Sequence, residues 1–148
     1  MKLKRWKATR IILFSPTAPT DSSMQPLIKE CLKNDPLWLE NNYRDHVDED
    51  LLEQLYGIQK SIKERTPKKL KHWLVIMDDA VGEQAMTSKR GILLKIATSG
   101  RHFNISSIIS MQAYRSTMNP IVRQQTSCLM IGRLNSLREW EDIAESYS

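Results

Sequence analysis

Four short runs rich in aliphatic residues alternate along the chain with stretches whose apolar positions recur every three or four residues. Residues 10–15 (RIILFS), 73–77 (WLVIM), 105–110 (ISSIIS) and 128–131 (CLMI) are too short for helices and end in polar or turn-forming residues. They read as strands, and the fully apolar ones as strands covered on both faces. The loop SPTAPTDSS after the first run carries two prolines and several small hydroxyl residues and cannot prolong it. From 24 to 33, Leu27, Ile28, Cys31 and Leu32 share one helical face, and Asn34-Asp35-Pro36 ends the pattern. The clearest helix spans 48–65, with Leu51, Leu52, Leu55, Ile58 and Ile62 inward, acidic residues at its start and basic ones at its end, as the macrodipole favours.

Three further helices complete the pattern. Thr87 or Ser88 caps one that runs to 98 with Ile92, Leu93, Ile96 and Ala97 inward and Gly100 just beyond it. A short one covers 120–125. Asn135 or Ser136 opens the last, which runs to 146 with Leu137, Trp140, Ile143 and Ala144 inward. Strands alternating with helices predict an α/β fold, a mostly parallel sheet with helices on both faces, in one domain over 1–148. In such sheets ligands bind beyond the carboxyl ends of the strands, so the residues that follow each strand are the ones to inspect.

Composition narrows the class. A chain of 148 residues with 41% hydrophobic and 26% charged residues is long enough to bury one core. No apolar run approaches the ~20 residues that span a bilayer. The basic, then apolar N-terminus has an apolar part of only 11–14, short of a secretory h-region of ~7–15 residues, and an intracellular protein is expected. Cys31 and Cys128 lie far apart without metal-ligand spacing and read as buried free thiols, and His46, His72 and His102 form no ligand cluster. The net charge of +5 favours a polyanionic partner. It is patterned: Lys2, Lys4, Arg5 and Lys7 form one basic cluster, and Lys60, Lys63, Arg65, Lys68, Lys69 and Lys71 a second. Asp45, Asp48, Glu49, Asp50 and Glu53 form an acidic one. Solvated helix ends and loops account equally well for each cluster taken alone.

The strand ends carry a set of polar groups suited to nucleotide hydrolysis. The first strand leads into Ser15-Pro16-Thr17 with Asp21 beyond, the second into Asp78-Asp79, the third into Ser110-Met111-Gln112. Hydrolysis needs a carboxylate to hold Mg²⁺, usually through water, and a second to take a proton from the attacking water. Asp78 fits the first task and Asp79 the second, while a neutral amide such as Gln112 can sense the γ-phosphate. An acidic pair at a strand end is also a common loop start or helix cap. The set taken together favours chemistry.

The order FSPTAPTDSS, WLVIMDDA, LLKIATSGRHFNISSIISMQAY and NPIVRQQTSCLMIGR resembles the viral genome-packaging ATPases of the FtsK–HerA superfamily of P-loop NTPases, over roughly residue 10 to the end. The likeness is to those of poxviruses, giant viruses and virophages. GRHFNI before a strand that ends in SMQ is its most specific part. The resemblance implies a RecA-like core that uses ATP and Mg²⁺ to move double-stranded DNA into a capsid. It further implies a homo-oligomeric ring, a capsid or portal-like partner, and a place in the host cytoplasm or virion. Asp78 matches the metal-associated acid of the Walker B strand, and Ser15 and Thr17 join it on the nucleotide side. Asp79 stands where many members carry a catalytic Glu, Gln112 matches the polar sensor, and Arg101 matches an arginine that reaches a neighbouring subunit's nucleotide. Arg123 is a second candidate for that finger. As plainer readings, Arg101 caps the preceding helix and Arg123 is a solvated helix residue. For DNA contact the candidates are Lys68, Lys69 and Lys71 within the 60–71 cluster, and Arg115 beside Tyr114.

One departure is decisive. The five glycines (57, 82, 91, 100, 132) build no Gly-x-x-x-x-Gly-Lys-Ser/Thr loop, and Lys89 has no glycine cradle before it. Without that loop's N–H groups and lysine, phosphate affinity falls severely. The expectation is a C-terminal portion of a longer ATPase, from a split or truncated reading frame or an internal start, missing the P-loop strand and helix. A missing central strand is expected to leave a slot between strands that are not natural neighbours. Two alternatives remain: a non-catalytic paralogue that oligomerises or binds DNA, and an unrelated α/β nuclease in which Glu83 supplements Asp78.

Overall fold

The computed structural model describes residues 9–79, 88, 90–112, 119–134 and 136–147. Its elements are β1 (Thr9–Phe14), α1 (Gln25–Asn34), α2 (Trp38–Asn42), β2 (Tyr43–Arg44), α3 (Glu49–Arg65), β3 (His72–Met77), α4 (Ile92–Ser99), β4 (Ile105–Ile109), α5 (Pro120–Gln124) and α6 (Leu137–Tyr147). Single 3-10 turns precede β3 (Pro67–Lys69) and β4 (Gly100–Phe103). The four strands form one sheet in the order β2-β1-β3-β4, every pairing parallel. The fold is the α/β class expected, consistent with a RecA-like core that lacks a P-loop strand.

Register explains the two cores. Ile12 aligns with Val75 and Phe14 with Met77, and these four side chains share the face on which α3 and α4 pack through Leu52, Leu55, Ile92, Leu93 and Ile96. The alternate positions, Ile11, Leu13 and Ile76, face the other way, against Ala18, Ile28, Cys31 and Trp38 of the loop, α1 and α2. The sheet is therefore covered on both faces where β1 and β3 run, which is why these strands are apolar from Ile11 to Phe14 and from Trp73 to Met77. Trp38 is the anchor of the second face: it is buried and its indole Nε1–H donates to the Ile11 carbonyl at 2.8 Å.

Local chemistry sets the helix limits. Asp48 caps α3, its carboxylate accepting from the Leu51 N–H at 2.9 Å, and Thr66-Pro67 ends it. Gly100 follows α4 at a tight crossing, where an added Cβ would stand 3.1 Å from the Ile105 carbonyl oxygen. Asn104 takes the left-handed conformation (φ 55) that turns the chain into β4. No helix among the described residues is long and apolar enough to cross a membrane.

Several expectations are corrected. Residues 128–131 are irregular and exposed rather than a strand, with Met130 92% exposed. A strand needs a neighbour for its N–H and C=O groups, and among the described residues none is paired with this segment. Cys128 is consequently exposed, whereas Cys31 is buried. On α6 only Ile143 of the four inward candidates is buried, and Leu137, Trp140 and Ala144 are exposed. On α3, Ile58 is exposed and Gln59 takes the buried stripe with Leu52 and Leu55, because the helix is rotated toward the 3-10 turns before β3 and β4. The slot expected between strands is not there among the described residues: β1, β3 and β4 are contiguous, so an open position lies at a sheet edge, beyond β2 or beyond β4, whose Ile108 is 52% exposed. Helix α4 begins at Ile92, later than the 87–88 cap suggests. Helix α2 and strand β2, absent from the sequence reading, fill 38–44.

Candidate functional site at the carboxyl ends of the strands

The sheet's hydrogen-bond ladder continues one residue past each strand and delivers the candidate residues side by side. Ser15 N–H donates to the Arg44 carbonyl at 3.0 Å, Asp78 N–H to the Phe14 carbonyl at 2.8 Å, and Ser110 N–H to the Met77 carbonyl at 2.8 Å. Ser15, Asp78 and Ser110 thus stand in line across β1, β3 and β4.

Side chains then tie the row together. The buried Ser15 Oγ–H donates to Asp78 Oδ2 at 3.1 Å and accepts from the Ala18 and Thr17 N–H groups at 3.2 and 3.4 Å. One hydroxyl therefore fixes both the loop after β1 and the carboxylate after β3. The Tyr43 hydroxyl, from β2, donates to the Ser15 carbonyl at 2.9 Å. Burial, reinforced by Asp45, pushes the Tyr43 phenol's pKa up, so it remains a donor near neutral pH.

Asp79 differs from Asp78. It is exposed and adopts a left-handed backbone (φ 51). Gln112 Nε2–H donates to Asp79 Oδ1 at 2.9 Å, across from β3 to the end of β4. A non-glycine residue at positive φ carries strain of the kind that functional sites tolerate.

Five of the sequence candidates thus gather at one edge: Ser15, Thr17, Asp78, Asp79 and Gln112. Thr17 contributes its backbone, while its side chain is exposed. Arg101 is elsewhere. It lies exposed in the turn before β4, at the amino end of the sheet, and β4 alone spans about 16 Å. Arg123 is half-buried on α5, which packs against α4. Lys68, Lys69 and Lys71 are exposed beside β3's amino end. Arg115, Tyr114, Glu83 and the cluster from Lys2 to Lys7 lie outside the described residues.

Sequence reasoning missed three supporting residues. Tyr43 was hidden by the unrecognised β2. Asn119, buried at the start of α5, caps the Ile121 N–H at 2.9 Å and donates to the Ser88 carbonyl at 3.0 Å. Its position directly before Pro120 is a helix-cap signal that was available. Gln59, 1% exposed, donates from a single Nε2 to the Lys71 carbonyl at 2.7 Å and the Phe103 carbonyl at 2.6 Å. A polar residue at helical spacing with Leu52 and Leu55 offers no warning of that burial.

An all-parallel sheet with two carboxylates, a hydroxyl and an amide at three adjacent strand ends belongs to the α/β class whose sites sit at that edge. The model of the poxvirus A32 protein family matches residues 39–136, and the chain belongs to this family of viral genome-packaging ATPases. No curated protein and no solved structure matches the chain. The match covers β3, β4 and both acidic residues, as well as the turn that carries Arg101.

Proposed function

We propose that the edge formed by Ser15, Asp78, Asp79 and Gln112 is the metal- and water-handling half of an ATP-hydrolysing site. In this reading the chain works in a motor that moves double-stranded viral DNA into a capsid, and the reading places it in the host cytoplasm or virion. The carrying observation is the pair of cross-strand hydrogen bonds, Ser15 to Asp78 and Gln112 to Asp79, at neighbouring strand ends.

The donor set suits a hydrated Mg²⁺. That ion keeps several waters and is held by one or two carboxylates plus substrate phosphates rather than by an all-protein cage. Asp78, its carboxylate fixed by the Ser15 hydroxyl, would hold it, and the bound ion would neutralise charge on the phosphate oxygens. Among the described residues no three His, Cys, Asp or Glu side chains gather as a metal cage, so a site of this kind depends on the nucleotide for its remaining ligands. Asp79, exposed and oriented by Gln112, accepts the proton of the attacking water as the bond to the leaving phosphate breaks. Gln112 can exchange its bond to Asp79 for one to a γ-phosphate oxygen, which links nucleotide state to the base. The FtsK–HerA placement, with β3 as a Walker B strand, is consistent with this arrangement.

Arg101 stands at the opposite end of β4, out of reach of this subunit's own Asp78, so a finger role for it would require a homo-oligomeric ring, with a capsid or portal-like partner. Arg123 remains the second candidate for that role. The phosphate grip must come from a glycine-rich loop and lysine that the sequence does not contain. That same observation favours, as a second reading, a non-catalytic module that oligomerises or binds DNA.

The test is Mg²⁺-dependent ATP hydrolysis with and without a supplied P-loop-bearing segment. Hydrolysis is expected only with the segment and falls by about 10²–10⁴ in Asp79→Asn. No hydrolysis under either condition would support the non-catalytic module. Hydrolysis by the chain alone that survives Asp79→Asn overturns the proposal.

A further inference from the structure

The amino end of the sheet carries the opposite chemistry from the carboxyl end. Two basic segments far apart in sequence meet there. One runs from the last turn of α3 through the 3-10 turn to β3 and holds Lys63, Arg65, Lys68, Lys69 and Lys71. The other is the turn before β4, with Arg101 and His102. All seven side chains are exposed.

Buried Gln59 joins the segments. Its one amide nitrogen reaches the carbonyls of Lys71 and Phe103 together, so the two backbones run side by side. The Trp73 N–H donates to the Asn104 carbonyl at 2.9 Å, and Lys63 Nζ stands 5.1 Å over the Phe103 ring, bridging α3 to the turn. Among the described residues, none of the cations on these segments is in an ion pair with a carboxylate. Glu64 is the one acidic residue within them.

Magnitudes decide what such a surface attracts. The carboxyl termini of α3 and α4 point to this end and contribute roughly half an elementary negative charge each. With Glu64 they offset about two of the six Lys and Arg charges, which leaves the surface strongly positive. It is unsuited to a stable protein interface, whose centre is depleted in lysine and enriched in apolar and aromatic groups. None of the exposed large apolar side chains belongs to 63–71 or 101–104. Lysines that act as unpaired point charges suit a regular array of phosphates, read without sequence preference.

We propose that this amino-end surface, Lys63, Lys68, Lys69 and Lys71 together with Arg101, contacts the sugar-phosphate backbone of double-stranded DNA. The choice of polymer rests on the DNA-packaging reading, while the surface itself rests on the joined segments. The contact lies at the end of the sheet opposite Asp78 and Asp79, so DNA and nucleotide occupy separate ends of each subunit.

The experiment is fluorescence anisotropy of a labelled mixed-sequence duplex titrated with the full chain over a series of salt concentrations, with no nucleotide present. A failure then reflects on this surface and leaves the hydrolytic reading to its own test. Replacing Lys68, Lys69, Lys71 and Arg101 together by Gln is expected to weaken binding at least tenfold and to flatten the slope of log K against log salt by about 3. The same four positions changed to retain charge (Lys68→Arg, Lys69→Arg, Lys71→Arg, Arg101→Lys) keep the slope. A control that neutralises Lys29, Lys33, Arg133 and Arg138 has the same net charge and is expected to leave most of the affinity. Urea midpoints check that the variants, all at exposed positions, remain folded. Equal losses in the two neutralised proteins, an unchanged slope in the first, or capture of anionic vesicles or polyglutamate in place of the duplex overturns the proposal.

Discussion

The two ends of the same parallel sheet are built differently. At the carboxyl end, short polar side chains bond to one another across strands: Ser15 to Asp78, Gln112 to Asp79. At the amino end the exposed side chains are long and cationic, and order comes from beneath, through Gln59 and backbone carbonyls. The contrast suits the two kinds of work proposed for these ends. Activating a water needs groups held at fixed distances, and each bond there removes rotamer freedom before a substrate arrives. Binding a uniform phosphate chain needs charge density more than exact geometry, and flexible lysines supply it with little loss.

If this division is right, the largest stability loss comes from the support under the basic end. Gln59→Leu keeps the helix stripe apolar but leaves two carbonyls without their donor, and it is expected to cost about 2 kcal/mol by urea unfolding. A loss as small as that of an exposed substitution would show that Gln59 does not hold the segments together. A smaller effect of opposite sign is expected at the acidic end. Asp79→Gly removes the penalty of a left-handed Asp and raises stability by about 0.5 kcal/mol, despite the greater freedom of glycine in the unfolded chain. Asp79→Asn, which tolerates that conformation, stays near neutral by the same measurement. Destabilisation by Asp79→Gly would mean that the bond to Gln112 outweighs the backbone strain.

The smallest effect, on reactivity alone, separates the packed face from the uncovered C-terminal segment. Burial, with a lesser contribution from Glu30, pushes the Cys31 thiol up to about 11, so it stays protonated at pH 8 and gains thiolate only as pH rises toward that value. Cys128 is exposed. Alkylation at pH 8 is expected to modify Cys128 well before Cys31, as read by mass spectrometry. Equal rates would show that α1 does not pack Cys31 against the sheet as described.

Legibility followed how local each determinant is. The runs RIILFS and WLVIM announced β1 and β3 because a strand buried on both faces has no room for polar side chains. The acidic start, basic end and Thr66-Pro67 stop of α3 are likewise local signals, and they placed it within a residue. The acids after β3 and the Gln after β4 were legible because a parallel sheet brings its carboxyl ends together. By contrast, CLMI has the composition of a strand and is not one, and Trp140 sits at helical spacing and is exposed. Both outcomes depend on whether a neighbour exists to pair with or pack against, which no window of sequence contains. Arg101 shows the same limit: its motif was visible, but its separation from Asp78 by the length of β4 was not.

Taken by itself, the sequence determined which segments could bury both faces, where helices start and stop, and which residues follow the strands, since these depend on side-chain chemistry within a few residues. Only the tertiary structure decided that Ser15 holds Asp78, that Gln112 holds Asp79, and that Gln59 draws two distant basic segments onto the opposite end. Those bonds join residues 12 to 63 positions apart. Their partners are chosen by strand order and helix rotation, which the whole packed molecule sets.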